Sequence, residues 1–180
     1  MNQPFYASSQ INRHGDFRSN KGFMTKIMSD KNTKFVPVLN GKNLFRQSDT
    51  GIEAYFFNSE QLKAIFPNGI DSPIFLGVTN NINYVGVDLD QNNSEMDLWC
   101  NKNSIIVEDL RKYGPTLNDV DASFLSLNNG MTFWHKTHQF CGSCGFKNNT
   151  TEAGFVKVCS NIECGKSHFP RTDPAIITLI

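Results

Sequence analysis

Cys141, Cys144, Cys159 and Cys164 fall in one short stretch of a 180-residue chain. Cys141-Gly142-Ser143-Cys144 and Cys159-Ser160-Asn161-Ile162-Glu163-Cys164 are each followed by a glycine. Two thiolates on a tight turn can face one ion, with the glycine relieving the turn, and a second pair supplies the other corners of a tetrahedron. Thiolate sulfur in this pattern predicts zinc, one ion per chain. Four sulfurs leave no open position for water or substrate, so the ion is expected to be structural. A redox dithiol would sit at a helix N-terminus in a thioredoxin-like setting, which the pattern lacks. His168, four residues after Cys164, and His138, three before Cys141, are the alternative ligands that would replace a cysteine. Cys100, beside Trp99, reads as a core thiol.

A helix and short strands must position these sulfurs. Val120, Phe124, Leu127, Met131 and Trp134 recur at spacings of four and three, one stripe on one helix face, with Asn118 as its N-cap. Gly130 inside that helix costs about 1 kcal/mol relative to Ala and marks a weak point. Phe155-Val156-Lys157-Val158 between the cysteine pairs is a strand pattern, so the module reads as a zinc ribbon. So small a module has little core, and zinc binding of order 10–16 kcal/mol would hold it together.

Upstream, residues 1–22 are polar and read as a loosely held arm, and Phe23, Ile27 and Met28 as one or two turns of amphipathic helix. Asn40-Gly41 between apolar runs predicts a hairpin with a type I′ turn. Ala54 to Phe57 reads as a strand, and Ser59 as the cap of a short helix through Leu62 and Ile65. A second hairpin turns at Asn80-Asn81. In its last strand Tyr84, Gly86 and Asp88 alternate with Val85, Val87 and Leu89, the signature of a half-buried strand. A polar link follows, then a short strand or helix over Ser104 to Tyr113.

Composition narrows the function classes. Charge is balanced, 17 basic against 17 acidic residues, and hydrophobic residues make up 39% with 15 phenylalanines. That fits a folded protein and argues against a polybasic nucleic-acid arm; Lys136, Lys147, Lys157 and Lys166 are scattered, not massed. No apolar run approaches the roughly 18 residues of a membrane-spanning helix. The first thirty residues lack an apolar signal core, and the cysteines do not look like an extracellular disulfide framework, so a reducing compartment and no secretion are expected.

The stretch Trp134-His135-Lys136-Thr137-His138-Gln139-Phe140-Cys141-Gly142-Ser143-Cys144-Gly145, then Cys159, then His168-Phe169-Pro170-Arg171-Thr172-Asp173-Pro174-Ala175-Ile176-Ile177, resembles the NADH pyrophosphatases. These are Nudix hydrolases with a zinc ribbon before the catalytic domain. Phe35-Val36-Pro37-Val38, Ile74 to Gly77 and Asp121-Ala122 to Trp134 look like that family's N-terminal, Nudix-like domain, and the resemblance covers about residues 11 to 180. It implies an α+β chain in four parts. These are a polar arm over 1–22, a Nudix-like domain of hairpins and short helices over 23–133, the ribbon with the preceding helix end over 134–170, and the first strand of a truncated Nudix domain over 171–180.

The activity implied is hydrolysis of the pyrophosphate of NADH or NAD to a nicotinamide mononucleotide and AMP, with NAD-cap removal from RNA in some members, by homodimers in cytosol or peroxisome. Phe169 falls where many relatives carry tyrosine; it reads either as a ring against the nucleotide or as a buried anchor between ribbon and sheet. Arg171 and Asp173 read as a surface ion pair, as residues that hold the domain junction, or as substrate contacts. Nudix chemistry needs Mg2+ or Mn2+ on the clustered glutamates of the box G-x5-E-x7-R-E-U-x-E-E-x-G-U, because the pyrophosphate charge must be neutralised and water activated. This sequence has no Glu-Glu pair and no match to that box. No catalytic residue is assigned, and the chain alone is expected to be inactive, Mg2+ or Mn2+ belonging to a full-length parent. The competing expectation is a stand-alone zinc-ribbon module for assembly or dimerisation without catalysis.

Overall fold

The computed structural model describes residues 6–90 and 93–171, with the backbone alone for Asn93 and Ser94. Apart from Arg171, the strand expected over 171–180 and Asp173 lie outside the described residues. The architecture is α+β. Lys34–Leu39 (β1) and Lys42–Ser48 (β2) form a hairpin, and both turn residues have positive φ, 52° at Asn40 and 72° at Gly41. Gly51–Ala54 (β3) pairs antiparallel with β2. Ile74–Thr79 (β4) and Ile82–Asp88 (β5) form the second hairpin through Asn80 and Asn81, again both at positive φ. The hairpins join through a parallel pairing of β1 and β5 that sets Val36 opposite Gly86. The strand order is β3-β2-β1-β5-β4, with Ile106–Glu108 (β6) on β2.

The helices are Phe23–Ser29 (α1), Ser59–Ile65 (α2), Asn93–Lys102 (α3), Leu110–Tyr113 (α4) and Asp119–Thr137 (α5). Several local expectations shift. The stretch expected as strand from Ala54 ends there, and Phe57 makes one isolated bridge to Phe35. Asn58, not Ser59, caps α2. Its Oδ1 accepts from Gln61 N at 2.8 Å while Gln61 Oε1 accepts from Asn58 N, a capping box that satisfies two end donors at once. The polar link is α3, whose Met96 and Cys100 are buried. Ser104 to Tyr113 contains both a strand, β6, and a helix, α4.

The sheet is covered on both faces, so β5 is not half-buried. Its Val85 and Val87, with Leu89 just after it, join Phe35, Leu44, Phe57 and Phe75 in one core, closed by α1, α2 and α3. The other face packs Val36, Phe45, Leu76 and Tyr84 against α5, where Phe124 stacks on Tyr84 with ring centroids 4.0 Å apart. Asn118 caps α5 as expected, accepting from Asp121 N at 2.9 Å. The helix runs unbroken through Gly130, and Phe124, Met131 and Trp134 of the expected stripe are buried, but the buried face also takes in Ala122, Ser123, Leu125, Asn128 and Thr132, with Val120 and Leu127 at the margin. Gly86 lets α5 close on the sheet: a Cβ there would lie 2.0 Å from Asn128 Oδ1. Asn128 donates from Nδ2 to Val36 O at 2.7 Å, and Asn129 exchanges two amide bonds with the buried Asn43.

The described part of the polar N-terminal segment is held, not loose. Asn12 exchanges two backbone bonds with Val78 on the edge strand β4, Arg13 donates to Leu76 O, and Ile11 is buried against Gly77. This covers an edge that would otherwise offer unpaired backbone groups. Among the described residues no helix is long and apolar enough to cross a membrane.

A candidate metal centre and its joint with the sheet

Asn148–Thr151 (β7), Val156–Cys159 (β8) and Ser167–His168 (β9) form a three-stranded antiparallel sheet after α5. In the first knuckle Cys141 N donates to Phe146 O and Gly145 N to Cys141 O, with Gly145 at φ 77°. The second has the same turn on a different frame. Gly165 N donates to Asn161 O and Cys159 N to Lys166 O. Asn161 therefore occupies the place that Cys141 holds in the first turn, and its side chain accepts from Glu163 N. The sulfur comes from Cys159, two residues earlier on β8. The wider spacing of the second pair thus costs the turn nothing.

The four sulfurs lie within 4.8 Å of one another, Cys144 to Cys159 at 3.4 Å and Cys141 to Cys164 at 3.8 Å, all as free thiols. A zinc–sulfur bond of about 2.3 Å puts tetrahedron edges at about 3.8 Å, so the cluster has the dimensions of a four-thiolate site. The backbone N–H of Ser143 is the main cause that draws the Cys141 thiol down to about 5; burial opposes it, and the N–H of Cys144 and the His168 ring assist. Burial pushes Cys159 up to about 12 with help from the neighbouring sulfurs, against the N–H of Asn161. Clustered thiols that oppose each other's ionisation are a set that a divalent cation would relieve. Neither His138 nor His168 joins the four sulfurs in that group. Cys100 is buried in the core, its thiol pushed up to about 11 by desolvation, as an inert thiol should be.

The ribbon is fastened to the sheet by residues without a motif. His135 Nε2 donates to Gly154 O at 2.7 Å, and the buried Lys157 donates from Nζ to His135 O at 2.7 Å, its ammonium 5.6 Å from the Trp134 ring centre. Gly154, at φ 100°, lies against Ile74 of β4. Arg18, from the N-terminal segment, stacks 3.7 Å from the centre of the Phe155 ring and donates twice to Arg13 O. Lys136 pairs with Asp88 and Asp90 at the end of β5. Histidine and lysine spacing carried no signal for this joint. Phe169 is 62% exposed, and Arg171 is exposed beyond it.

An α+β domain carrying a four-cysteine cluster compatible with a zinc ribbon is thus the class that fold and site define. No protein-family model matches the chain. It is 24% identical over 224 aligned residues to the NAD-capped RNA hydrolase of Schizosaccharomyces pombe, an alignment that takes in 98% of this chain and 57% of that protein. It is 51% identical over 47 residues to the chloroplastic Nudix hydrolase 19 of Arabidopsis thaliana, 26% of this chain and 11% of that one. To the NAD-capped RNA hydrolase NudC of Mannheimia succiniciproducens it is 42% identical over 62 residues, 33% of this chain and 23% of that protein. The chain spans less than two thirds of the length of these curated relatives. The family they point to is that of the NADH pyrophosphatases among the Nudix hydrolases, the one that the residues around the cysteines resemble.

Proposed function

We propose that this chain serves in an NAD(H) diphosphatase as the part that carries a structural zinc ribbon. One observation carries the reading: the four-sulfur cluster, on a chain that aligns over 98% of its length with an NAD-capped RNA hydrolase. Cys141, Cys144, Cys159 and Cys164 hold one Zn2+. The exposed ring of Phe169 stacks on the nucleotide, without the hydroxyl a tyrosine would add. The reaction of the whole enzyme is cleavage of the NADH or NAD pyrophosphate, free or as an RNA cap, by a homodimer in cytosol or peroxisome. Its Mg2+ or Mn2+ sits on box glutamates that this sequence does not match, so the chain alone binds zinc and does not turn over.

The test has two arms. Purified chain, loaded with zinc and given Mg2+ or Mn2+, is incubated with NADH, NAD and NAD-capped RNA while AMP or cap release is followed by chromatography. No release is expected; turnover would overturn the division of labour. The transcript is then sequenced past the codon for Ile180. An open frame into a glutamate-rich box supports the proposal, whereas a stop codon leaves a zinc-dependent assembly module.

A further inference from the structure

We propose that the cleft between the sheet and the ribbon binds the phosphate of a ribonucleotide, held by Lys157 and Lys147, with Asn148 accepting from the neighbouring ribose hydroxyl. The choice of a ribonucleotide rests on the reading above, whereas the anion rests on the cleft alone. The cleft encloses about 290 Å3 between Ile74 and Asp88 of the sheet, the last turns of α5, and β7 and β8 of the ribbon. Lysines scattered along the sequence meet there, since Lys136, Lys147 and Lys157 all line it. Lys157 is the unusual one. It is 4% exposed, yet among the described residues no carboxylate pairs with it. Its Nζ has the His135 carbonyl at 2.7 Å and the Trp134 ring, both neutral partners. A buried ammonium is costly unless a counter-ion offsets its lost hydration, and its three donors leave room for one. Asn148 is buried in the same lining, and its Oδ1 meets no donor among the described residues. Its Nδ2 donates to His138 O at 3.2 Å, which sets Oδ1 as the acceptor. Lys157 thus calls for an anion and Asn148 for a donor, and a phosphate beside a ribose hydroxyl offers both in one ligand.

Two carboxylates also line the cleft, and the charge balance decides whether an anion can enter. Asp88 is held by Lys136 at 3.1 Å, and Lys136 pairs with Asp90 as well. Asp71 and Lys147 are exposed, so solvent and salt screen both. The buried Lys157 is screened much less. The charge that a ligand meets away from water is therefore positive. One or two phosphate contacts give a shallow salt dependence, with log affinity falling against log salt at a slope of about −0.7 to −1.4.

The experiment titrates the zinc-loaded full chain with four probes: a short uncapped RNA, DNA of the same sequence, adenosine 3′-monophosphate and inorganic phosphate. Affinity is read by calorimetry and the site by amide shifts in NMR spectra. RNA is expected to bind and to move the amides of Lys147, Asn148 and Lys157. Lys147→Ala should weaken it about 2- to 5-fold, and Lys157→Met about 10- to 100-fold. DNA should bind about 2- to 10-fold less well than RNA, a preference that Asn148→Ala erases. Lys147→Ala alters an exposed side chain, so it keeps the test open should Lys157→Met loosen the joint. RNA tighter than the mononucleotide assigns the phosphate to a chain and the reverse to a free nucleotide; either supports the site. No shift at the cleft with any probe overturns the proposal, as does unchanged affinity in both lysine variants. RNA and DNA bound alike would overturn the ribose contact. A stop codon after Ile180 would sink the reading above and leave these titrations standing, whereas zinc-loaded chain that binds none of the probes would sink the cleft alone.

Discussion

Gly86→Ala should be among the most damaging single-methyl additions in this protein. The new Cβ would fall 2.0 Å from Asn128 Oδ1 and 2.7 Å from its Cγ, with the amide fully buried between α5 and the sheet. Either α5 lifts or the amide leaves Val36 O, the acceptor on the strand residue paired with Gly86. Overpacking of this kind costs ~1–3 kcal/mol. Leaving a buried carbonyl without its donor costs a further ~1–3 kcal/mol. A total of about 2–4 kcal/mol is expected, allowing for partial relaxation. Urea denaturation of the zinc-loaded chain measures it, and the double variant Gly86→Ala/Asn128→Ala tests the cause. Asn128→Ala alone loses the bond to Val36 O, yet it makes room for the methyl. Gly86→Ala added to that background should then be close to neutral, a coupling of roughly 2 kcal/mol between the sites. A cost below about 0.5 kcal/mol for Gly86→Ala, or additive costs in the double variant, would refute the close approach of α5 as the reason for glycine here.

The remaining expectations concern the ribbon and its joint. Chelation should unfold the ribbon and leave the sheet, so hydrogen exchange will quicken at β7 and β8 while β1 and β5 keep their protection; simultaneous loss would mean one cooperative unit. Cys159→Ser should abolish stoichiometric zinc binding in metal analysis. Arg18→Ala removes the stack on Phe155 and should cost about 0.5–2 kcal/mol, with faster exchange at Asn12 and Val78. Burial holds the His135 imidazole below its ordinary value, against the pull of the Gly154 carbonyl. The folded pKa is then the lower one, so the unfolded chain takes up more protons. The His135 contribution is whole above the unfolded pKa of about 6.5 and is lost as pH falls through and below it. His135→Gln keeps a donor without that titration. Its stability should fall less than wild type between roughly pH 7.5 and 5.5; parallel profiles would remove His135 as the cause.

Much of this was legible in the chain because the signals are local. Asn40-Gly41 must turn as it does because two successive residues need positive φ. Asn118 announces α5 by capping it, and four cysteines with trailing glycines point to a cluster that could hold a metal ion. Local reading failed where a partner distant in sequence decides. The stretch after Asp90 is polar enough to pass for a link, yet Met96 and Cys100 have the sheet to bury against, and α3 forms. A stripe chosen by apolarity alone omits Asn128, which the sheet accepts because Val36 O needs a donor and Gly86 leaves room. Ser59 lost the cap to Asn58 because the capping box needs Gln61 three residues on. Nothing in the polar N-terminal segment reveals that Asn12 and Arg13 will close the edge of β4.

The sequence by itself determined the hairpin turns, the start of α5 and the chemistry of the four cysteines, because each depends on residues within a few positions of one another. Tertiary structure decided the parallel joining of the two hairpins, the burial of both sheet faces and the fastening of the ribbon through Arg18, His135, Gly154 and Lys157. Those choices pair backbone and side-chain groups far apart along the chain, and their free energy appears when burial removes water from both partners at once.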